Sequence, residues 1–285
     1  MYHHVQEFAK RHLPEGYKDR ELVRAVQTCS DLTVNIIHCS ISPNRPEFFP
    51  NTTRNYPLYG KKNKAKLCRG TGWIWKVEQY GEGSQSKEGP CQCLDDCKDS
   101  DNPKKIWWEI IIMTAAHVVF DIVECKTTQI ILWDEKGVKK ENDRRLVLKA
   151  REMGDSSIEA DRGMFTCVTH DAELAKKLKT LCRRRAELVK NCDDKYSENP
   201  HSLTIAISHP HGDLKRVSIG TGIDRDDQEL ASQYSYNTPT CHGSSGGFVW
   251  AVGWGSSHGS VAPHSEGDIN QTNSNENRSG WSWHL

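Results

Sequence analysis

The sequence lacks a charge excess of either sign, a long apolar run and a secretory start. Its 285 residues carry 38 basic and 38 acidic side chains, whereas an obligate nucleic-acid-binding protein needs a basic excess to meet phosphates. No apolar run approaches the roughly 18 residues that indicate a membrane span. The first residues lack the basic-then-apolar pattern of a secretory signal. We therefore expect an intracellular, cytoplasmic protein that binds neither nucleic acid nor membrane.

Cysteine is plentiful, but its pattern does not indicate a disulfide-rich secreted scaffold. The chain has 11 cysteines, an odd number, so at least one cannot form a disulfide within the chain. With 36% hydrophobic residues it buries a sizeable core, so it needs no disulfides to fold. Reduced thiols are therefore expected.

The apolar pattern predicts many short strands and few helices. Strands are predicted at 32–41, 70–77, 106–113, 129–133, 145–150, 164–169, 203–208, 216–219, 247–252 and 259–263. One clear helix begins at Ala172, and its Lys- and Arg-rich face is expected in solvent. The strands do not alternate with helices, which favours barrels or sandwiches over a parallel sheet.

A glycine-flanked serine is the strongest chemical signal. Ser245 lies in the segment Gly243-Ser-Ser-Gly-Gly247, between Tyr- and Trp-containing stretches that argue against a linker. Glycines allow a sharp turn that exposes a hydroxyl and aims backbone N–H groups at one point, as a tetrahedral oxyanion requires. A serine nucleophile also needs an oriented base. His117 directly follows the apolar strand 106–113, in Thr114-Ala-Ala-His117.

Together these two motifs resemble the trypsin-like serine peptidase family, whose members have the chain order His, Asp, Ser. The resemblance covers roughly residues 30–267 and includes Gly70-Thr-Gly72, a strand motif ahead of the histidine. It implies two antiparallel six-stranded β-barrels with the active site between them. It also implies that His117 is the general base and Ser245 the nucleophile, and that the amides of Gly243 and Ser245 form the oxyanion hole.

The Asp that the family combines with its His and Ser is less clearly indicated by the sequence. The family places an Asp before a hydrophobic strand, and Asp161 fits, 44 residues after His117. Its context departs from the family because Arg162 and Gly163 follow it. Asp155 and Asp171 are the alternatives, and Asp171 is disfavoured because it follows the strand.

The resemblance also bears on activation and specificity. Ser244 stands where zymogen-type members have an Asp that pairs with a new N-terminus, so no such activation is expected. Pro239 stands where enzymes that cleave after Arg or Lys carry an Asp. Thr240 and His264 instead match the positions with which glutamyl endopeptidases hold an acidic side chain, although Glu266 would repel one if it pointed inward.

Cys91, Cys93 and Cys97 form the one cysteine cluster, in a polar insertion at residues 81–105. Zinc sites need four ligands and usually two to four residues between paired cysteines. Asp95, Asp96, Cys125 or Cys167 would have to complete such a site. We expect separate thiols here and treat zinc as the alternative.

These observations predict a mainly β protein with five segments. They are a helical extension (1–29), a first barrel with the insertion (30–171), a connecting helix (172–200), a second barrel (201–267) and a polar tail (268–285). The predicted function is that of a monomeric serine endopeptidase that acts on a peptide or protein without a cofactor. The alternative is a catalytically silent homologue that binds proteins.

Overall fold

The computed structural model describes residues 2–82, 84, 90, 91, 93, 97, 100–133, 146–199, 203–228, 231–254, 260–267, 277–280, 282 and 283. The strands are β1 (Tyr2–His4), β2 (Thr33–Ser40), β3 (Ala65–Gly81), β4 (Ile106–Thr114), β5 (Gln129–Leu132), β6 (Leu146–Ser157), β7 (Arg162–Thr169), β8 (Leu203–Ser208), β9 (Arg216–Gln228), β10 (Ala231–Tyr236), β11 (Phe248–Ala251), β12 (Val261–Gly267), β13 (Asn277–Ser279) and β14 (Ser282–Trp283). The α-helices are α1 (Arg20–Leu32), α2 (Ile122–Cys125) and α3 (Ala172–Tyr196), and short 3₁₀ turns lie at Val5–Glu7, Lys10–His12, Tyr59–Lys61 and Pro210–Gly212.

The first barrel is a closed ring of six antiparallel strands in the order β2-β3-β4-β7-β6-β5. Alternate residues of a strand face opposite sides, and on β7 this directs Phe165 and Cys167 into the core, where both are fully buried. They lie opposite Ile112 and Ile110 of β4. The β-branched run that predicted a buried strand therefore forms one wall of this core.

The second barrel also closes, because β8, β9, β10, β13, β12 and β11 pair in a ring that returns to β8. The prediction of two six-stranded barrels is confirmed. The ring requires β13, which lies in the segment interpreted as a polar tail. The second barrel therefore extends beyond residue 267, although 268–276 and 281 lie outside the described residues.

Hydropathy misses β13 because hydrogen bonds rather than apolar side chains hold it. Ser279 accepts a bond from the backbone N–H of Tyr234 at 2.9 Å. Asn277 donates to the carbonyl of Thr238 at 2.8 Å. Both side chains are buried and polar.

The N-terminal residues join the second barrel as well as forming a helix. β1 pairs with β9, with Tyr2 opposite Ser218, where the sequence predicted only helices. Three residues are too few to show strand alternation. α1 begins after Asp19, whose carboxylate accepts from the N–H of Glu21 at 2.9 Å.

α3 connects the barrels and packs on both. Leu174 and Leu178 near its start belong to the first-barrel core, whereas Cys192 and Tyr196 near its end pack beneath the second barrel. The expectation of a fully solvated basic face is wrong at Arg185. Its guanidinium donates to the carbonyls of Ile74 and Trp75 at 2.6 and 2.9 Å. Within the described residues, no helix is both long and apolar enough to cross a bilayer.

Candidate active site

The turn after β4 and the turn before β7 bring a histidine and a carboxylate together. β4 and β7 are paired so that Thr114 lies opposite Gly163, which places the residues just beyond these strand ends side by side. Nδ1 of His117 lies 2.8 Å from Oδ2 and 3.0 Å from Oδ1 of Asp161. The backbone N–H of His117 also donates to Oδ1, at 3.1 Å. The imidazole is thus fixed through both its ring and its backbone.

The carboxylate of Asp161 is held in its ionised form. It is 5% exposed and accepts a further hydrogen bond from Oγ of Ser265. Burial alone raises the pKa of Asp161, but the electrostatic interaction with His117 and the hydrogen bonds from His117 and Ser265 outweigh burial. The net pKa lies below its usual value.

The other two candidate acids lie elsewhere. Asp155 forms an ion pair with Arg162, and its side chain is 58% exposed. Asp171 caps α3, accepting from the N–H groups of Glu173 and Leu174 at 3.0 Å. The unusual Arg162 is therefore turned toward Asp155 and does not disturb the contact between Asp161 and His117.

The loop around Ser245 is held by the strand motif that resembled the family. Thr71 donates through its N–H to the carbonyl of Ser245 and through its hydroxyl to the carbonyl of Gly243, both at 2.8 Å. Gly246 has φ +79°, and a Cβ there would lie 2.1 Å from the carbonyl oxygen of Thr71. Only glycine fits this close approach, so the motif Gly70-Thr-Gly72 fixes the loop that carries Ser245.

The N–H groups predicted for the oxyanion hole are available. Gly243 has φ +89°, and the carbonyls of Gly243 and Ser245 are tied to Thr71. Within the described part of the chain, neither residue's N–H donates a hydrogen bond to a protein acceptor. Two unpaired donors on one tight turn are what a developing oxyanion requires.

One cleft of about 760 Å³ collects most of the predicted site residues, although Asp161 is not among those that line it. His117, Gly243, Ser245, Thr240, His264 and Asn277 line it. Among the described residues, no hydrogen bond joins Ser245 to His117. A catalytic hydrogen bond of this kind often forms only with substrate present.

Thr240, His264 and Asn277 form a polar corner of this cleft, and the buried Tyr236 contacts His264. The sequence indicated neither Asn277 nor Tyr236. The hydroxyl of Thr240 donates to Oδ1 of Asn277 at 2.7 Å. The hydroxyl of Tyr236 lies 2.6 Å from Nδ1 of His264. Burial lowers the pKa of His264 to about 3, so this imidazole is neutral near pH 7. The side chain of Glu266 lies outside the described residues.

A buried ion pair supports the backbone of His117. Arg45 and Glu124, both fully buried, are joined by two contacts of 2.7 Å. Arg45 also donates to the carbonyl of His117 at 3.0 Å. The sequence did not indicate that Arg45 supports His117, because Arg45 lies in a polar loop that meets His117 only in the folded chain.

The cysteine cluster has a fourth member that the sequence did not indicate. Cys91, Cys93 and Cys97 surround the imidazole of His170. Cys125 and Cys167, considered as completing ligands, lie instead in the first-barrel core, and Asp95 and Asp96 lie outside the described residues. No disulfide joins cysteines in the described part. The three thiols thus lie together in the fold rather than apart.

Comparisons with known proteins give only distant similarity. No protein-family model and no curated protein matches the sequence. The chain is similar to the solved structure of the active form of Rv3671c protease from M. tuberculosis, with 12% identity, a TM-score of 0.44, and coverage of 92% of this chain and 81% of that chain. It is also similar to the HtrA-type protease AlgW with a decapeptide, with 14% identity, a TM-score of 0.46, and coverage of 90% and 62%. These values are too low to carry a functional argument, which must come from the site.

Proposed function

We propose that the protein is a serine endopeptidase in which Ser245 is the nucleophile, His117 the general base and Asp161 the orienting acid. The observation that carries this proposal is the buried carboxylate of Asp161 bonded to Nδ1 of His117, 2.8 Å away. That imidazole lines the same cleft as Ser245. The arrangement supplies the His–Asp contact of a Ser-His-Asp site and places the serine in the same cleft as the histidine.

The hydrogen bond between His117 and Asp161 determines which ring nitrogen takes part in the proposed reaction. Nδ1 of His117 donates to Asp161, so Nε2 is the atom that accepts the proton of the Ser245 hydroxyl. The serine oxygen then attacks the scissile carbonyl, and the N–H groups of Gly243 and Ser245 stabilise the oxyanion. His117 returns the proton to the leaving amine, and water hydrolyses the acyl-enzyme. The ionised Asp161 stabilises the imidazolium in both steps.

The residue before the nucleophile supports a site that needs no N-terminal ion pair. Ser244 is fully buried and accepts a hydrogen bond from Oγ of Ser208 at 3.0 Å. Its hydroxyl also accepts from the N–H of Cys241 at 3.3 Å. Neutral partners thus satisfy Ser244, the residue that the resemblance aligns with the Asp of zymogen-type members. Fluorophosphonate labelling that appeared only after N-terminal cleavage would contradict this part of the proposal.

The polar corner supports a preference for an acidic side chain before the scissile bond. Burial keeps the pKa of Tyr236 well above its usual value, so its hydroxyl keeps its proton, and we propose that it donates this proton to Nδ1 of His264, 2.6 Å away. The neutral ring then carries its proton on Nε2, a donor for a carboxylate. Asn277 lines the cleft beside it.

Cleavage profiling of the full chain on a peptide library tests the endopeptidase proposal. We expect cleavage by the wild type and none by Ser245→Ala. Absence of cleavage and of active-site labelling in folded wild type would favour a silent, protein-binding homologue.

The preference for acidic residues has its own test. We expect a Glu-Xaa reporter to be cleaved at least about tenfold faster than a Phe-Xaa reporter, the scale of one hydrogen bond to a charged group. His264→Phe should abolish this preference and leave the rate of Phe-Xaa cleavage unchanged. Equal rates in the wild type would reject the acidic preference and leave the peptidase proposal standing.

A further inference from the structure

Four ligand-type side chains converge far from the proposed active site. The thiol sulfurs of Cys91, Cys93 and Cys97 and a ring nitrogen of His170 all lie within 4.8 Å of one another. The distances from Nε2 of His170 to the three sulfurs are 3.3, 3.8 and 3.6 Å, in the order of the cysteines. All three cysteines are buried, at 0%, 7% and 3% exposure.

This geometry is that of a tetrahedral metal site. Zinc bonds of about 2.3 Å to sulfur and about 2.0 Å to nitrogen place those two ligand atoms about 3.5 Å apart at the tetrahedral angle. The three observed distances scatter around this value. Three thiolates and one imidazole are also a ligand set that selects Zn²⁺ over hard cations. We propose that Cys91, Cys93, Cys97 and His170 bind one structural Zn²⁺ ion.

Backbone hydrogen bonds to sulfur support thiolate ligands. The N–H of Cys93 donates to the sulfur of Cys91 at 3.3 Å, and the N–H of Lys104 donates to the sulfur of Cys97 at 3.4 Å. Such donors to the ligand atoms orient them and offset their negative charge. A disulfide would engage only two of the three sulfurs and would not explain why all three surround one imidazole nitrogen.

The surroundings exclude an open, catalytic metal. The cysteines pack in one apolar cluster with Tyr80 and Trp107, whose rings stack with centroids 4.6 Å apart. Four protein ligands complete a tetrahedral shell and leave no position for water. The site is therefore structural.

The ion would pin the insertion to the barrel and the connecting helix. His170 lies between the end of β7 and Asp171, the cap of α3. Asp161 precedes the other end of β7, a strand of eight residues whose extended length is about 26 Å, so the two sites lie at opposite ends of this strand. Loss of zinc should thus loosen the insertion and lower stability without removing any atom from the active site.

Metal analysis of the full chain, purified without chelator or histidine tag, tests the proposal. We expect about one zinc per chain in the wild type. Cys97→Ser should lose zinc by at least about tenfold, whereas the matched control Cys39→Ser, at an exposed cysteine, should retain it. Chelation should lower the thermal midpoint of the wild type and leave that of Cys97→Ser unchanged.

Cobalt substitution of the wild type keeps the test decisive if Cys97→Ser does not fold. A tetrahedral thiolate site should give strong visible bands and a thiolate-to-cobalt charge-transfer band. Folded wild type without bound metal, a disulfide between any two of the cluster cysteines, or zinc retained by folded Cys97→Ser would each overturn the proposal.

Discussion

Replacing Asp161 with Asn keeps the side chain's shape but removes the charge and one acceptor. Three donors meet this carboxylate: the N–H of His117, Nδ1 of the same residue and the hydroxyl of Ser265. An Asn side chain offers one acceptor oxygen and an NH₂ group that faces a donor. The imidazole then favours the tautomer with its proton on Nε2, where it cannot accept the proton of Ser245. We expect the reaction rate at Ser245 to fall by about 10⁴-fold, which corresponds to a rise of about 5.4 kcal/mol in its activation free energy.

The rate of fluorophosphonate labelling measures this loss without requiring a known substrate. Asp155→Asn is the matched control, because Asp155 is the alternative acid and its side chain is 58% exposed. The side chain of its partner Arg162 is buried, so the folding of this variant is also checked by circular dichroism. Its labelling rate should stay within about threefold of the wild type. If Asp161→Asn, shown to be folded by circular dichroism, were labelled within tenfold of the wild-type rate, the orienting role of Asp161 would be refuted.

Two further predictions concern buried charged and titratable groups. Glu124→Gln leaves the guanidinium of Arg45 buried without a counter-charge, so the free energy of unfolding measured in urea should fall by about 3–5 kcal/mol. A fall of less than about 1 kcal/mol would contradict the proposal that this ion pair stabilises the structure around His117. Burial, with repulsion from Lys215, lowers the pKa of His209 to about 3. Below pH 6.5 the unfolded chain binds a proton that the folded chain excludes, so this residue reduces stability by up to about 1.4 kcal/mol per unit as pH falls toward 3. His209→Asn, whose amide can donate to the carbonyl of Asp213 as Nδ1 does, should cut the stability lost between pH 7 and pH 5 by about 2 kcal/mol; an unchanged loss would show that His209 is not a source of acid sensitivity.

The parts of the fold that apolar side chains specify could be predicted from sequence. β4 and β8 carry β-branched runs whose burial follows from their composition, and the motif residues His117 and Ser245 stand next to such strands. β13 could not be predicted, because Asn277 and Ser279 are buried through hydrogen bonds to distant residues.

The residues that support each of the two sites could not be predicted from the sequence for the same reason. Ser265 donates to a carboxylate 104 positions earlier, and His170 meets Cys97 across 73 positions. Neither pair has a local pattern, since the partners meet only in the folded chain. Asp161 was found only because its position relative to His117 resembles a known family.

The site of covalent labelling tests the central proposal most directly. Full-length protein is treated with a fluorophosphonate, digested, and examined by mass spectrometry with and without Ser245→Ala. We predict one adduct per chain, located on Ser245 and absent from the variant. Folded wild type that acquires no adduct, or an adduct that persists in Ser245→Ala at another residue, would contradict the proposal that Ser245 is an activated nucleophile.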